Sequence, residues 1–170
     1  MRHLNVPPFV LEPLTVAHAR EMFVVLNDPA IYEFENTPPK SEEALTSRYA
    51  YLESRKSQDG CETWLNWIIR LPTGELAGYV QATILKSGTA NVAYVLNSRH
   101  WRQGIGSAAV AAMLQELRMN YAVKLYVAAL KAQNYRSMGL LHKLGFQQAS
   151  AERAAELGGE ADELVMIRAS

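Results

Sequence analysis

The chain has 170 residues, the usual size of one domain, and 49% of them are apolar, which is enough for a hydrophobic core. Its 17 Lys and Arg residues balance its 17 Asp and Glu residues, and the resulting net charge of zero argues against a nucleic-acid-binding protein. Cys61 is the single cysteine, so an intrachain disulfide is excluded, and the four histidines are too scattered to predict a metal site. The sequence has no apolar run like that of a signal peptide and none long enough to cross a membrane, which predicts a cytoplasmic protein that is not bound to a membrane.

The first third of the chain predicts one strand and two helices. Residues 9–14 read as a strand, and residues 16–26 place apolar side chains on one face of a helix. Residues 27–40 form a loop that is rich in turn formers and also carries aromatic and acidic side chains. Residues 41–57 predict a second helix, because Glu42 and Glu43 in its first turn suit the helix dipole.

The remaining chain predicts a strand-rich region with two further helices. Residues 64–71 and 75–85 read as a hairpin around "PTG", and residues 90–96 as a third strand of this meander. A helix over 107–120, a strand over 124–130 and a helix over 135–144 follow. Residues 147–154 and 161–167 predict a last hairpin around Gly158 and Gly159. Together these elements predict a single mixed α/β domain over residues 1–170, with about seven mostly antiparallel strands, about four helices and a βαβ unit in the middle.

The stretch "WRQGIGSAAV", residues 101–110, places Gly104 and Gly106 between a strand and a helix. Unpaired backbone N–H groups and the helix dipole make that position a potential phosphate site, although an ordinary glycine turn is an equally good interpretation. A P-loop requires a lysine before Ser107, and none is present. A dinucleotide-binding fingerprint follows the first strand of a parallel sheet, whereas this loop follows an antiparallel meander in mid-chain.

A second motif, "NYRSMGLLHKLGF", covers residues 134–146. Asn134 can cap the predicted helix, and Ser137 lies one turn into it. Taken alone, the pattern is explained by capping and by an apolar stripe that packs in the core. Its position one βα unit after the glycine loop favours a shared site.

Taken together, the two motifs and the preceding strand "YVLN" resemble the GNAT acyltransferase superfamily, and in particular its RimJ/RimL-like branch of ribosomal-protein N-terminal acetyltransferases. The opening segment "LEPLTVAHAREMFVVLNDPAIYEF" is also similar to that family, with Glu12 where an arginine is usual. The resemblance covers nearly the whole chain. It implies a GNAT-like sheet that is splayed in the middle, and an acetyl-CoA-dependent N-acetyltransferase without a metal.

The resemblance also implies roles for single residues. Asn134 would bind the pantetheine arm or a catalytic water, and Ser137 would donate a proton to the departing thiolate. The tyrosine that many relatives use further along this helix is replaced by Leu141, and a common glutamate on the central strand by Asn91. The expected coenzyme-binding residues are the strand residues Tyr94, Val95 and Leu96, through their backbone, and the pyrophosphate loop Arg102, Gln103, Gly104, Ile105, Gly106 and Ser107.

The acceptor side is expected in the loop over residues 27–40. Tyr32, Glu33 and Glu35 would bind the amine there, although two solvated loop acids are at least as good an explanation. Trp64 and Trp67 would line the acceptor pocket or pack in the core. The sequence leaves three functions open, namely acetylation of a protein N-terminus, acetylation of a small amine, and non-catalytic binding of CoA. It also leaves a homodimer open.

Overall fold

The computed structural model describes residues 1–34 and 36–170. Within these residues the chain forms a mixed α/β fold with eight strands and five α-helices, one more of each than predicted. The strands are β1 (Leu4–Val6), β2 (Phe9–Pro13), β3 (Glu62–Arg70), β4 (Leu76–Leu85), β5 (Thr89–Leu96), β6 (Leu125–Lys131), β7 (Gln147–Gln148) and β8 (Glu163–Ala169). The helices are α1 (Ala19–Val25), α2 (Glu42–Glu53), α3 (Ile105–Asn120), α4 (Tyr135–Lys143) and α5 (Ala151–Glu156), and short 3-10 turns cover Val16–His18, Pro29–Tyr32 and Ser98–His100.

The strands join one sheet in the order β1-β2-β3-β4-β5-β6-β8-β7. Neighbouring strands are antiparallel except β5 and β6, which are parallel. Parallel neighbours need a crossover connection, and α3 supplies it. The predicted βαβ unit is therefore confirmed as β5-α3-β6.

Strands β5 and β6 separate after a short parallel contact. Their pairing runs from Thr89 opposite Leu125 to Asn91 opposite Val127 and then ends. Beyond this point β5 pairs with β4, while β6 continues against β8 as far as Lys131 opposite Glu163. The carboxyl ends of the two strands therefore diverge, and the predicted splay in the middle of the sheet is confirmed.

Helices cover both faces of the sheet. One face packs against α3 through a large core that includes Trp67, Val80 and Met113, all fully buried. The other face packs against α1 and α2 through a second core around Ile68 and Met22. The gap between β5 and β6 thus connects a layer carrying α3 with a layer carrying α2.

The predicted C-terminal hairpin is wrong in part. Strand β7 ends at Gln148, and residues 151–154, which were expected to extend it, lie in α5. Ser150 caps this helix by accepting a hydrogen bond from the Arg153 N–H at 3.2 Å, and the following "AERAAE" consists of good helix formers. Strand β8 still pairs with β7 in the predicted antiparallel sense.

Candidate functional site

A cavity of about 800 Å³ occupies the gap between β5 and β6 and extends under α2. The residues predicted to bind the coenzyme or to act in the transfer that line it are Tyr94, Val95, Leu96, Arg102, Gly104, Gly106, Ser107, Asn134 and Ser137. Tyr32, which was predicted to bind the acceptor, also lines it. Gln103, Ile105 and Glu33 are not part of the lining, and Glu35 lies outside the described residues. The glycine loop, the Asn134 motif and the loop over residues 27–40 therefore all contribute to one cavity.

The glycine loop forms the mouth of this cavity. Gly104 is the residue before α3 and has a left-handed backbone (φ +79°), which glycine adopts without the cost that a side chain adds. The first turn of the helix closes with the Ala108 N–H donating to the Gly104 carbonyl oxygen at 3.0 Å, so the backbone N–H groups before Ala108 belong to the unpaired first turn. A Cβ on Gly106 would lie 3.3 Å from Leu140, so a side chain there would crowd α4. The loop thus has the open backbone and helix dipole of an anion site.

The last residue of β5, Leu96, lies at the gap between β5 and β6. The Asn97 N–H donates to the Ala77 carbonyl oxygen of the preceding strand at 2.8 Å. Because backbone groups of successive strand residues alternate in direction, the N–H of Leu96 is directed away from β4, toward the gap. The Leu96 carbonyl oxygen accepts a hydrogen bond from the Trp101 indole at 2.7 Å, which ties the glycine loop to the strand.

Gly78 on β4 allows the backbone of β5 to approach closely at Val95 and Leu96, and the sequence analysis did not single out this glycine. Gly78 has φ +155° and pairs with Leu96 next to an irregularity in the β3–β4 register. A Cβ on Gly78 would lie 2.0 Å from the carbonyl oxygen of Val95. An isolated glycine inside a strand is a known signal for a bulge or a close backbone approach, and it could have identified this position.

Helix α4 begins beside the end of β5. Asn134 caps it, as predicted, because its Oδ1 accepts a hydrogen bond from the Ser137 N–H at 3.1 Å. The Tyr94 hydroxyl donates to the Ser137 carbonyl oxygen at 3.2 Å. The cap therefore uses the backbone of Ser137 rather than its hydroxyl. Leu141, at the position of the family tyrosine, is buried and also lines the cavity.

Arg136 connects the loop over residues 27–40 with the glycine loop, and the sequence analysis gave it no role although it lies within the second motif. Its guanidinium lies 4.4 Å from the ring centre of Trp101 and 4.9 Å from that of Phe34. It also forms an ion pair with Glu33. The charge of Glu33 is thus already compensated, and its predicted contact with the acceptor amine stays a prediction.

The part of the cavity under α2 is rich in tyrosines. The Tyr32 hydroxyl donates to the Leu26 carbonyl oxygen at 2.7 Å, and burial raises the pKa of Tyr32 to about 12. Burial also raises the pKa of Tyr49 and of Tyr79. These phenols remain protonated at neutral pH, so they serve as hydrogen-bonding groups and not as bases.

Several other predicted candidates lie away from the cavity. Trp67 is fully buried in the core and donates its indole N–H to the Arg2 carbonyl oxygen at 3.0 Å. Trp64 packs against Tyr51 with tilted rings 4.8 Å apart and does not line the cavity either. The interpretation of both tryptophans as acceptor wall is therefore wrong, and the alternative of core packing is confirmed for Trp67. Asn91 is likewise outside the lining.

No group of three or more His, Cys, Asp or Glu side chains in the described part of the chain could hold a metal ion. Residues 1–34 and 36–170 contain no helix of the length and apolarity needed to cross a membrane.

Comparisons with known proteins agree with the fold and the motifs. The chain resembles the solved structure of RimL, a ribosomal L7/L12 alpha-N-protein acetyltransferase in complex with coenzyme A, at 17% identity over 98% of this chain and 97% of that one, with a TM-score of 0.81. It resembles the ribosomal-protein-S5-alanine acetyltransferase from Vibrio fischeri at 15% identity (98% and 96% covered, TM-score 0.80). The microcin C7 self-immunity acetyltransferase MccE, in complex with acetyl-CoA and AMP, matches at 18% identity (95% and 92% covered, TM-score 0.77).

Sequence comparison identifies the family. A search of curated protein sequences finds no significant match. The profile of the family described as "Acetyltransferase (GNAT) domain" matches residues 9–147, which is most of the chain. The chain therefore belongs to the GNAT family of acetyltransferases, enzymes that use acetyl-CoA as cosubstrate.

Proposed function

We propose that this protein transfers the acetyl group of acetyl-CoA directly to a primary amine, and that the amine is the N-terminus of a protein. The observation that carries the proposal is the continuity of the cavity, which joins the glycine loop, the open end of β5 and the chamber under α2. Such a cavity receives two substrates from opposite faces of the sheet and holds them together. Proximity of this kind contributes up to about 7–11 kcal/mol to a reaction in ideal cases.

The residues present fit the coenzyme. The space beside Gly104 is open, since a Cβ there would meet no atom within 4 Å, and the loop also carries Arg102 at the cavity. The loop from Arg102 to Ser107 would bind the pyrophosphate. The backbone of β5 from Tyr94 to Leu96 would bind the pantetheine arm, with Asn134 on its other side. Acetyl-CoA, when bound, supplies the activated acetyl thioester.

The chain's own groups would then assist the transfer in three ways. The Leu96 N–H, directed at the gap, would hydrogen-bond the carbonyl oxygen and polarise it. The Ser137 hydroxyl would protonate the leaving sulfur, directly or through water. The amine would attack in its neutral form and lose its proton to water or, through water, to one of the two loop acids that the sequence offers, Glu33 and Glu35.

The likeness of the fold to two ribosomal-protein acetyltransferases supports a protein N-terminus as the acceptor. A small amine is the second candidate, because MccE shares the same fold to a similar degree. The cytoplasmic location that the sequence predicts is compatible with either acceptor, and so is the homodimer that it leaves open.

Release of the CoA thiol, followed with a panel of amines, tests the proposal. N-terminal peptides are compared with polyamines, amino acids and aminoglycosides, and mass spectrometry locates the added acetyl group. Steady turnover of peptides on their α-amine supports the proposed function. Turnover of small amines alone favours the second candidate, and CoA binding without any turnover favours a non-catalytic CoA-binding module.

A further inference from the structure

The chamber under α2 contains a buried hydroxyl that has no partner. The side chain of Tyr49 is 3% exposed and lines the cavity, and its hydroxyl makes no hydrogen bond with any described residue. A buried polar group without a partner is costly, so such groups are uncommon in folded proteins and mark places where something else binds. The floor of the chamber is also polar, since Asn66 and Gln81 pair with each other across β3 and β4 and both line the cavity.

Arg48 precedes Tyr49 on α2 and lines the same chamber. It forms no ion pair within residues 1–34 and 36–170. Its neighbours three and four positions away on the helix are Ala44, Leu45, Tyr51 and Leu52, none of which carries a charge. Arg48 is thus an exposed residue at the edge of the chamber, and its positive charge has no counter-charge from its own helix.

The position of Arg48 separates it from the coenzyme loop. Helix α2 packs on the sheet face of Ile68, whereas α3, which follows the glycine loop, packs on the opposite face. Arg102 already supplies a cation at the coenzyme side. The charge of Arg48 is thus available to the acceptor and not to the pyrophosphate.

From these contacts we infer that the chamber selects acceptor amines that also carry a carboxylate. Arg48 receives the carboxylate through its planar set of N–H donors, and the hydroxyls of Tyr49 and Tyr79 and the amide of Asn66 complete the polar contacts. The inference rests on the proposed function, in which the acceptor enters from the α2 side. It disfavours polyamines, whose second cation would face Arg48. The carboxylate belongs either to a free amino acid or to an acidic side chain near a protein N-terminus.

Two pairs of acceptors test the inference and distinguish the two sources. The first pair is a C-terminally amidated peptide with aspartate at its second position and its asparagine twin. The second pair is serine and serinamide. In at least one pair we expect the acid to have a kcat/KM about ten- to a hundredfold higher than its neutral twin, the range expected for a charged hydrogen bond.

The variant Arg48→Met keeps an apolar stem similar to that of arginine and removes the guanidinium with its charge. We expect it to abolish the preference for the acid while leaving the KM of acetyl-CoA unchanged. The control Arg118→Met removes an exposed arginine of α3 that does not line the cavity, and it should keep the preference. Equal turnover of acid and neutral twins, or a preference that survives in Arg48→Met, would overturn the inference and leave the proposed function standing.

Absence of turnover with every amine would instead overturn the proposed function. Titration calorimetry of the same acceptors with the CoA-loaded protein then tests whether the chamber binds a carboxylate. Tighter binding of the acid twin that is lost in Arg48→Met supports the carboxylate site, and equal binding of both twins overturns it.

Discussion

The hydroxyl of Tyr94 donates a hydrogen bond to the carbonyl oxygen of Ser137 at 3.2 Å, which joins the end of β5 to the first turn of α4 across the cavity. The same turn is capped by Asn134, which accepts the Ser137 N–H. Both backbone groups of Ser137 are thus held by neighbours. Its hydroxyl takes part in neither bond and remains available for chemistry in the cavity.

This geometry separates the catalytic role of Ser137 from a structural one. We expect Ser137→Ala to lower kcat by about 10- to 100-fold, because general acid catalysis contributes about 10²–10⁴-fold and water replaces part of it. Its thermal midpoint and CoA affinity should stay unchanged, since the cap uses the backbone. Asn134→Ala is the matched control and should lose about 1 kcal/mol of stability. Full kcat in Ser137→Ala would end the catalytic assignment.

Gly104 and Gly74 allow a controlled test of the phosphate loop. Both have left-handed backbones (φ +79° and +87°), and at both a Cβ would meet no atom within 4 Å. Valine at either position should therefore cost a similar amount of stability, about 1–2 kcal/mol. Only Gly104→Val should weaken CoA binding, because Gly74 lies in the turn between β3 and β4, away from the cavity. Equal CoA affinities of the two folded variants would contradict the placement.

The ion pair of Glu33 and Arg136 leads to a prediction about the acceptor loop. The pair holds the segment that carries Tyr32 and Phe34, which line the cavity where we propose that the acceptor binds. Glu33→Gln and Arg136→Gln should therefore both raise the KM of the acceptor more than the KM of acetyl-CoA. If Glu33 attracted the amine directly, Arg136→Gln would instead lower the acceptor KM by removing a competing cation. Steady-state kinetics of the two variants decides between these outcomes.

Local signals in the sequence predicted much of this architecture. The strand, glycine loop and helix around Gly104 and the cap at Asn134 depend on residues close together in the chain, so their patterns indicate them. Arg136 is different, because its partners Glu33, Phe34 and Trp101 come from distant segments. Such a cluster exists only after the chain has folded, and no spacing in the sequence encodes it.

In the C-terminal region, a local signal in the sequence predicted the wrong element. The pair Gly158 and Gly159 favoured a hairpin whose first strand covers residues 147–154, but the Ser150 cap and the helix formers behind it outweigh that signal. The chamber under α2 was missed for a related reason. Tyr49 and Arg48 read as ordinary positions of a helix, and only the packing of α2 over β3 and β4 makes the missing partner of Tyr49 visible.

Glu12, which replaces the arginine usual in the family, leads to a prediction about pH. Burial pushes the pKa of Glu12 upward, but hydrogen bonds from Arg70 (2.8 Å) and His18 (3.2 Å) outweigh it, and the pKa lies below its usual value. A carboxyl with a lowered pKa stabilises the fold above about pH 4.5 and loses this contribution as the pH falls through the folded-state pKa. Glu12→Gln should cost about 1–2 kcal/mol at pH 7 and flatten the acid limb of the stability curve. Glu152→Gln, at an exposed position of α5, should leave that limb unchanged when both are followed by urea unfolding.

Tyr49 and Tyr126 should respond in opposite ways to the loss of a hydroxyl. Both side chains are buried, but the Tyr126 hydroxyl donates to the Leu114 carbonyl oxygen at 2.9 Å, whereas that of Tyr49 has no partner among the described residues. Tyr126→Phe should therefore lower the free energy of unfolding by about 1 kcal/mol. Tyr49→Phe should raise it by about 1–2 kcal/mol in the protein without acceptor, because an unsatisfied buried hydroxyl disappears. The same variant should bind the acceptor several-fold more weakly, because the acceptor loses the hydrogen bond that we propose it makes with the Tyr49 hydroxyl. A Tyr49→Phe protein that is as destabilised as Tyr126→Phe would show that the Tyr49 hydroxyl already has a partner.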